Sequence, residues 1–172
     1  MEHKHLHHVD LPSHYQFITF RTHDSVDSFV KKLLSIPMLK SKQQQELDNH
    51  LDQSLSGAYL HNNILNLLHD FLISKDYEYY ELIAFCIMPN HVHLLIKPLL
   101  KLPLVIKNIK GASSFLINKE MNQKGKFWVN EYFDKLIRDE KHFNIVYNYI
   151  KNNPRNITQL KSELPRFYGI YE

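Results

Sequence analysis

The sequence predicts an α+β fold: an antiparallel sheet with helices packed mainly on one face. Three observations carry this. Runs at Tyr15–Thr22, Tyr79–Met88 and His91–Ile96 alternate or are apolar throughout, and are rich in β-branched and aromatic residues, as strands are. The intervening stretches carry apolar residues at helical spacing. Their order, β–(helices)–β–β–α–β–α, is that of a mixed, segregated architecture.

Each element follows from its residues. Tyr15-Gln16-Phe17-Ile18-Thr19-Phe20-Arg21-Thr22 alternates as a strand. Asp24 or Ser25 is positioned to cap a helix carrying Val26, Phe29, Val30, Leu33 and Leu34, which Pro37 interrupts. Lys40–His50 is polar and reads as an exposed helix. After Gly57, Leu60, Ile64, Leu67, Leu68, Phe71 and Leu72 mark an amphipathic helix. Tyr79–Met88 is apolar on both alternating faces, the pattern of a central strand covered on both sides. Pro89-Asn90 turns the chain into His91–Ile96. Pro98 and Pro103 bracket a loop before a helix over Val105–Asn118, with Val105, Ile106, Ile109, Ala112, Phe115 and Leu116 inward. Gly125 breaks the chain before Phe127-Trp128-Val129, and Tyr132–Ile137 is extended. A last helix runs from about Glu140 to Asn152 and stops before Pro154, because the residue preceding proline disfavours the helical region.

Composition narrows the class. A chain of 172 residues with 44% hydrophobic and 12% aromatic content suits one well-packed domain and excludes wholesale disorder. The division expected is a His-rich arm over 1–14, one domain over 15–154, and a tail over 155–172. The single Cys86 excludes a disulfide framework and a multi-cysteine zinc cluster and fits a reducing cytoplasm. No apolar run approaches the roughly 20 residues that span a bilayer, and Met1–His8 is too polar for a signal peptide, so a cytoplasmic protein without a membrane partner is expected.

Twelve histidines are present, four of them (His3, His5, His7, His8) in the N-terminal arm. The informative pair lies in Met88-Pro89-Asn90-His91-Val92-His93-Leu94-Leu95-Ile96. Alternate strand residues share a face, so His91 and His93 point together, about 7 Å apart, while Val92, Leu94 and Ile96 point into the core. Such a pair can converge on one divalent cation, or be two partly exposed histidines on a sheet. A histidine-triad hydrolase is excluded by Leu95 at the next alternate position. A zinc-protease helix is excluded because no two histidines stand four apart around a glutamate.

Downstream, Tyr149 and Asn153 stand at i, i+4 on one helix face, beside a core stripe of Phe143, Val146, Tyr147 and Ile150. A phenol can attack a phosphodiester once a metal polarises the phosphate, or the tyrosines can be packing residues with wet hydroxyls. Between Lys97 and Lys126 lie seven lysines (Lys97, Lys101, Lys107, Lys110, Lys119, Lys124, Lys126) and one acid, Glu120. That segment carries +6 and the remaining residues −3, within an overall charge of +3. Charge alone leaves a polyanion footprint and a solvated helix face both open.

Taken together, these blocks resemble the single-tyrosine HUH transposases of the insertion-sequence 200-like group, and within them the REP-associated tyrosine transposases. Ala84–Leu95 is similar to the family's "MPNHVHLL" signature. Further similarity lies in Leu51-Asp52 through Leu60, Ile109-Lys110-Gly111 through Asn118, Trp128 through Asp139, and Tyr149 through Pro154. After Pro154 the family continues with valine, a basic residue and "AGLV", where this chain has Arg155-Asn156-Ile157-Thr158.

The resemblance implies a ferredoxin-like sheet. It implies His91 and His93 as metal ligands, Asn153 as a third, and Tyr149 as nucleophile, with Mg²⁺ or Mn²⁺ as cofactor. The expected activity is cleavage and rejoining of single-stranded DNA near hairpins through a 5′-phosphotyrosine intermediate. Lys97, Lys101, Lys107, Lys110, Lys124, Lys126 and Arg138 would follow the phosphate backbone, and Phe127, Trp128 or Tyr132 would stack bases. A homodimer, with the tyrosine serving its own or a partner's metal, is compatible with this reading. The alternative is a domesticated hairpin-binding module that no longer cleaves, and a metal-binding structural protein ranks third.

Overall fold

Period-two apolar runs build the sheet and period-3.6 runs cover it. The computed structural model describes residues 14–157 and 165–171. Strands β1 (Gln16–Arg21), β2 (Tyr80–Ile87), β3 (His91–Pro98), β4 (Phe133–Leu136) and β5 (Phe167–Gly169) form one sheet in the order β4-β1-β3-β2-β5, every pairing antiparallel. Helix α3 (Asn62–Ser74) connects β1 to β2, and α4 (Leu102–Glu120) connects β3 to β4. This is the split βαβ arrangement of the ferredoxin-like fold, with β5 added outside β2. Helices α1 (Ser28–Ser35) and α2 (Lys40–Leu51) are inserted before α3, and α5 (Glu140–Asn152) follows β4.

The two sheet faces have separate cores. Ile18, Phe20, Val92, Leu94 and Ile96 meet Leu65, Leu68 and Leu72 of α3 and Val105, Ile106 and Ile109 of α4. Each fully buried aliphatic side chain there is worth about 1.5–3 kcal/mol relative to exposure. On the other face Phe17, Ile83, Ala84, Cys86 and Leu95 meet Val146, Tyr147 and Ile150 of α5. A register shift between Leu82 and Ala84 lets β2 supply both cores without breaking its pairing to β3. A third cluster, Val30, Leu33, Leu47 and Leu51, joins α1 to α2.

Several expectations are corrected. Asp27, not Asp24 or Ser25, caps α1, accepting from the Val30 amide at 2.9 Å. Asp24 instead accepts from the Tyr59 hydroxyl, and Ser25 donates to the Thr22 carbonyl. Helix α4 begins at Leu102, with Pro103 in the first turn, where its missing N–H costs nothing. Phe115 is 69% exposed, because the buried stripe of α4 runs through Val105, Ile109, Ser113 and Ile117 and leaves position 115 on the outer side. Helix α2 is not simply exposed: Leu47, Asp48 and Leu51 are buried. The C-terminal segment contributes β5, and Arg166 beside it donates to the carbonyls of Leu60 and Ile87 at 2.8 Å each. Residues 1–13, with four of the histidines, and 158–164 lie outside the described residues.

Candidate active site

The β2–β3 turn is organised by Asn90, which is fully buried. Its Nδ2 donates to the carbonyls of Leu51 at 3.0 Å and Ser54 at 3.2 Å, tying the turn to the end of α2. With both amide protons directed at carbonyls, Oδ1 must be the atom 2.7 Å from His91 Nδ1. His91 therefore carries its proton on Nδ1 and presents the Nε2 lone pair to the site. The loop after α2 is pinned from the other side by the Thr22 hydroxyl, which donates to the Gly57 carbonyl at 2.9 Å. Gly57 has φ +65°, and a Cβ there would collide with Thr22 and the backbone of Asp24 and Ser25.

Register sets the second imidazole. Thr19 pairs with His93 across β1–β3, and its hydroxyl lies 2.7 Å from His93 Nδ1. If Nδ1–H donates to this oxygen, Nε2 of His93 is also free. Both histidines are fully buried, with ring centroids 4.9 Å apart, and neither Nε2 has a hydrogen-bond partner. Burial holds both rings neutral: His93 is pushed down to about 3, and His91 is driven well below the ordinary value, first by burial and then by His93 and Arg21.

Two carboxylates from α2 and its end complete the cluster. Ligand atoms of Asp48, His91 and His93 lie within 4.8 Å of one another. Asp52 Oδ1 lies 3.5 Å from His91 Nε2. Burial pushes Asp48 up to about 7, against hydrogen bonds from Gln44 and Tyr149, and Asp52 up to about 6. Both aspartates are missing from the expected site residues. The signal was present: Asp48 and Asp52 stand at i, i+4, each directly after a leucine of the buried stripe.

Tyr149, on α5, is 39% exposed and donates its hydroxyl to Asp48 Oδ2 at 3.1 Å. Its ring lies 5.2 Å from that of His93 in the same chain. Burial, then Asp48 and Asp52, raise its pKa. Asn153, one turn further on, is 2% exposed, and its Oδ1 has no partner.

The basic residues are not gathered around the imidazoles. Helix α4 covers the face opposite the histidines, so Lys101 and Lys107 lie on that side, exposed. Lys97 faces Glu81 at 3.6 Å at the far end of β3, while Lys124, Lys126 and Arg138 are exposed. Lys110 is a structural clamp, donating to the carbonyls of Val129, Asn130 and Glu131. Trp128 is corrected from a base-stacking residue to a core residue. It is 4% exposed, packs edge-on against Phe20, and donates to Ser113 Oγ at 2.9 Å. Phe127 is buried beside it. Lys107, Lys110, Lys126 and Tyr132 line a cleft of about 380 Å³ between α4 and the loop before β4.

A ferredoxin-like sheet thus carries a buried histidine pair under a tyrosine-bearing helix. Residues 52–153 match the family model described as "Transposase IS200 like", and the chain belongs to that family. Its fold is similar to that of a REP-associated tyrosine transposase bound to a REP hairpin, with a TM-score of 0.51 and 13% identity over 93% of this chain and 76% of that one. A candidate transposase from Deinococcus radiodurans R1 aligns with a TM-score of 0.47 and 19% identity, over 89% of this chain and 98% of that one. No functionally curated protein matches the sequence. No described helix is long and apolar enough to cross a membrane.

Proposed function

We propose that this transposase is a metal-dependent enzyme of single-stranded DNA, which cleaves and rejoins strands near hairpins using Tyr149 as nucleophile. The observation that carries this reading is the meeting of two unpartnered imidazole Nε2 atoms with a tyrosine hydroxyl in one chain. The hairpin bound by the similar REP-associated transposase supports the substrate class.

The donor set fits a divalent ion. His91 Nε2, His93 Nε2, Asp52 Oδ1 and Asn153 Oδ1 are buried without hydrogen-bond partners, an arrangement that is costly unless something occupies them. His91 and His93, with Asn153 and a carboxylate oxygen of Asp48, would hold Mg²⁺ or Mn²⁺. Once bound, such an ion polarises the scissile phosphate and stabilises its developing charge.

The chain's own groups do the remainder. The Tyr149 oxygen attacks phosphorus while its proton passes to Asp48 Oδ2, the atom it already faces. The P–O3′ bond breaks, the departing 3′ oxygen takes up a proton, and the 5′ phosphate remains esterified to Tyr149. Attack by the 3′-OH of another end reverses the step and joins strands without ATP. Because Tyr149 lies beside His93 of its own chain, one chain holds every group named.

The test is incubation with hairpin-bearing single strands and Mn²⁺, scored for a denaturation-resistant protein–DNA adduct. The reading expects adduct from wild type and none from Tyr149→Phe. Salt-sensitive hairpin binding without cleavage in either metal would favour the non-cleaving module instead.

A further inference from the structure

Arg21 ends β1 directly opposite His91. Phe17, Thr19 and Arg21 alternate on one face of the strand. Phe17 stacks on His93 with centroids 5.6 Å apart, and Thr19 meets His93 Nδ1, so Arg21 leaves the sheet on the imidazole side. It is 8% exposed, and its buried Nε has no hydrogen-bond partner. Among the described residues no carboxylate lies within ion-pair distance of it. Burial lowers its pKa, against the attraction of Glu131 and Asp48.

The contrast with Arg166 is informative. That guanidinium is similarly buried and its Nε likewise lacks a partner, but its Nη1 donates to two backbone carbonyls and joins the C-terminal segment to the sheet. Arg21 makes no such bond, although burying an unpaired charge is expensive. A guanidinium cannot ligate a cation, so it adds nothing to a metal site directly. Its planar donor fork instead matches the oxygens of a phosphodiester.

We propose that Arg21 binds a non-bridging oxygen of a phosphate of the bound strand. On the function proposed above, on which this inference rests, that phosphate is the scissile one. Arg21 then neutralises charge on the phosphorane-like transition state from the β1 side, while Tyr149 approaches from α5. The residue is catalytic in the strict sense, since it touches the reacting group.

Three variants of the full chain test this: Arg21→Gln, Arg21→Lys and Arg21→Met. With hairpin-bearing single strands and Mn²⁺, Arg21→Gln is expected to slow adduct formation about 100-fold or more, as loss of one transition-state donor does elsewhere. Arg21→Lys, which keeps charge without the fork, should recover part of that loss. Mn²⁺ affinity should not fall in any of them, and Arg21→Met should melt no lower than wild type without DNA, because it removes an unpaired buried charge. A second arm is independent of cleavage: the slope of log K against log salt for a single strand should drop by about 0.7 in Arg21→Gln, one phosphate contact. An unchanged salt slope overturns the proposal, as does a melting temperature for Arg21→Met well below wild type, which would make the residue structural. A wild type that forms no adduct while Arg21→Gln still loses slope overturns the proposed cleavage but supports the phosphate contact.

Discussion

Replacing Asp48 with asparagine should stabilise the metal-free protein while weakening its hold on metal. Asp48 is 5% exposed, and burial raises its carboxyl from 3.8 to about 7. The folded protein therefore holds this proton more tightly than the unfolded chain. Stability is greatest while Asp48 is protonated, falls as pH rises from about 4, and has lost its full share above about 7. At about 1.4 kcal/mol per pH unit, the penalty is roughly 2 kcal/mol at pH 5.5 and up to about 4 kcal/mol at pH 8. Asparagine keeps the shape and can still accept from Tyr149, while Gln44 can rotate its amide to meet the new Nδ2. His91 and His93 act with the opposite sign, since their lowered values remove stability as pH falls below 6.5. That contribution is common to both proteins and cancels in the difference. Urea unfolding with a chelator should therefore show Asp48→Asn more stable than wild type, by about twice as much at pH 8 as at pH 5.5. Adding Mn²⁺ should stabilise wild type more than the variant. An advantage that does not change with pH, or a variant less stable at pH 8, would refute the reasoning.

Asn90→Ala should cost about 3–5 kcal/mol in urea unfolding, because it strands the Leu51 and Ser54 carbonyls and the His91 Nδ1–H. Calorimetry should show Mn²⁺ affinity reduced 10–100-fold as the His91 tautomer loses its partner; an unchanged affinity would remove Asn90 from the site. Trp128→Ala should destabilise by about 3–5 kcal/mol, whereas the exposed Phe115→Ala should stay within about 0.5 kcal/mol of wild type. A Trp128→Ala protein of normal stability that only loses DNA affinity would contradict the burial of that ring. Gly169→Ala should detach β5, since a Cβ there collides with the Tyr147 hydroxyl, and limited proteolysis should then cut near residues 165–171 faster than in wild type.

What the sequence made legible was whatever depends on a short period. Alternation placed His91 and His93 on one face, away from Val92 and Leu94, and the sheet keeps that division. Helical spacing and Pro154 located α5 to within a residue. What stayed hidden depends on long-range packing. Helix α2 reads as solvated because Lys40, Lys42 and three glutamines dominate its composition, yet its last turns lie against the imidazoles. Asp48 is buried by contacts with α5 that lie about a hundred residues away in sequence, as its hydrogen bond from Tyr149 shows. Trp128 and Phe127 look like base-stacking residues beside a lysine run. The pairing of Thr22 with Trp128 draws that segment onto the end of β1 and turns the rings inward. Arg21 reads as one arginine in an alternating strand, and its place opposite His91 follows only from the pairing of β1 with β3.

The central claim is that Tyr149, over the histidine pair of its own chain, forms a covalent link to DNA. It is tested most directly by mass spectrometry of the wild-type protein after reaction with a hairpin-bearing single strand and Mn²⁺. The account predicts a nucleotide remnant joined through its 5′ phosphate to the peptide containing Tyr149, absent without divalent metal and absent from His91→Ala. A remnant mapped to Tyr147 or to any other residue, or an adduct undiminished in His91→Ala, would contradict it.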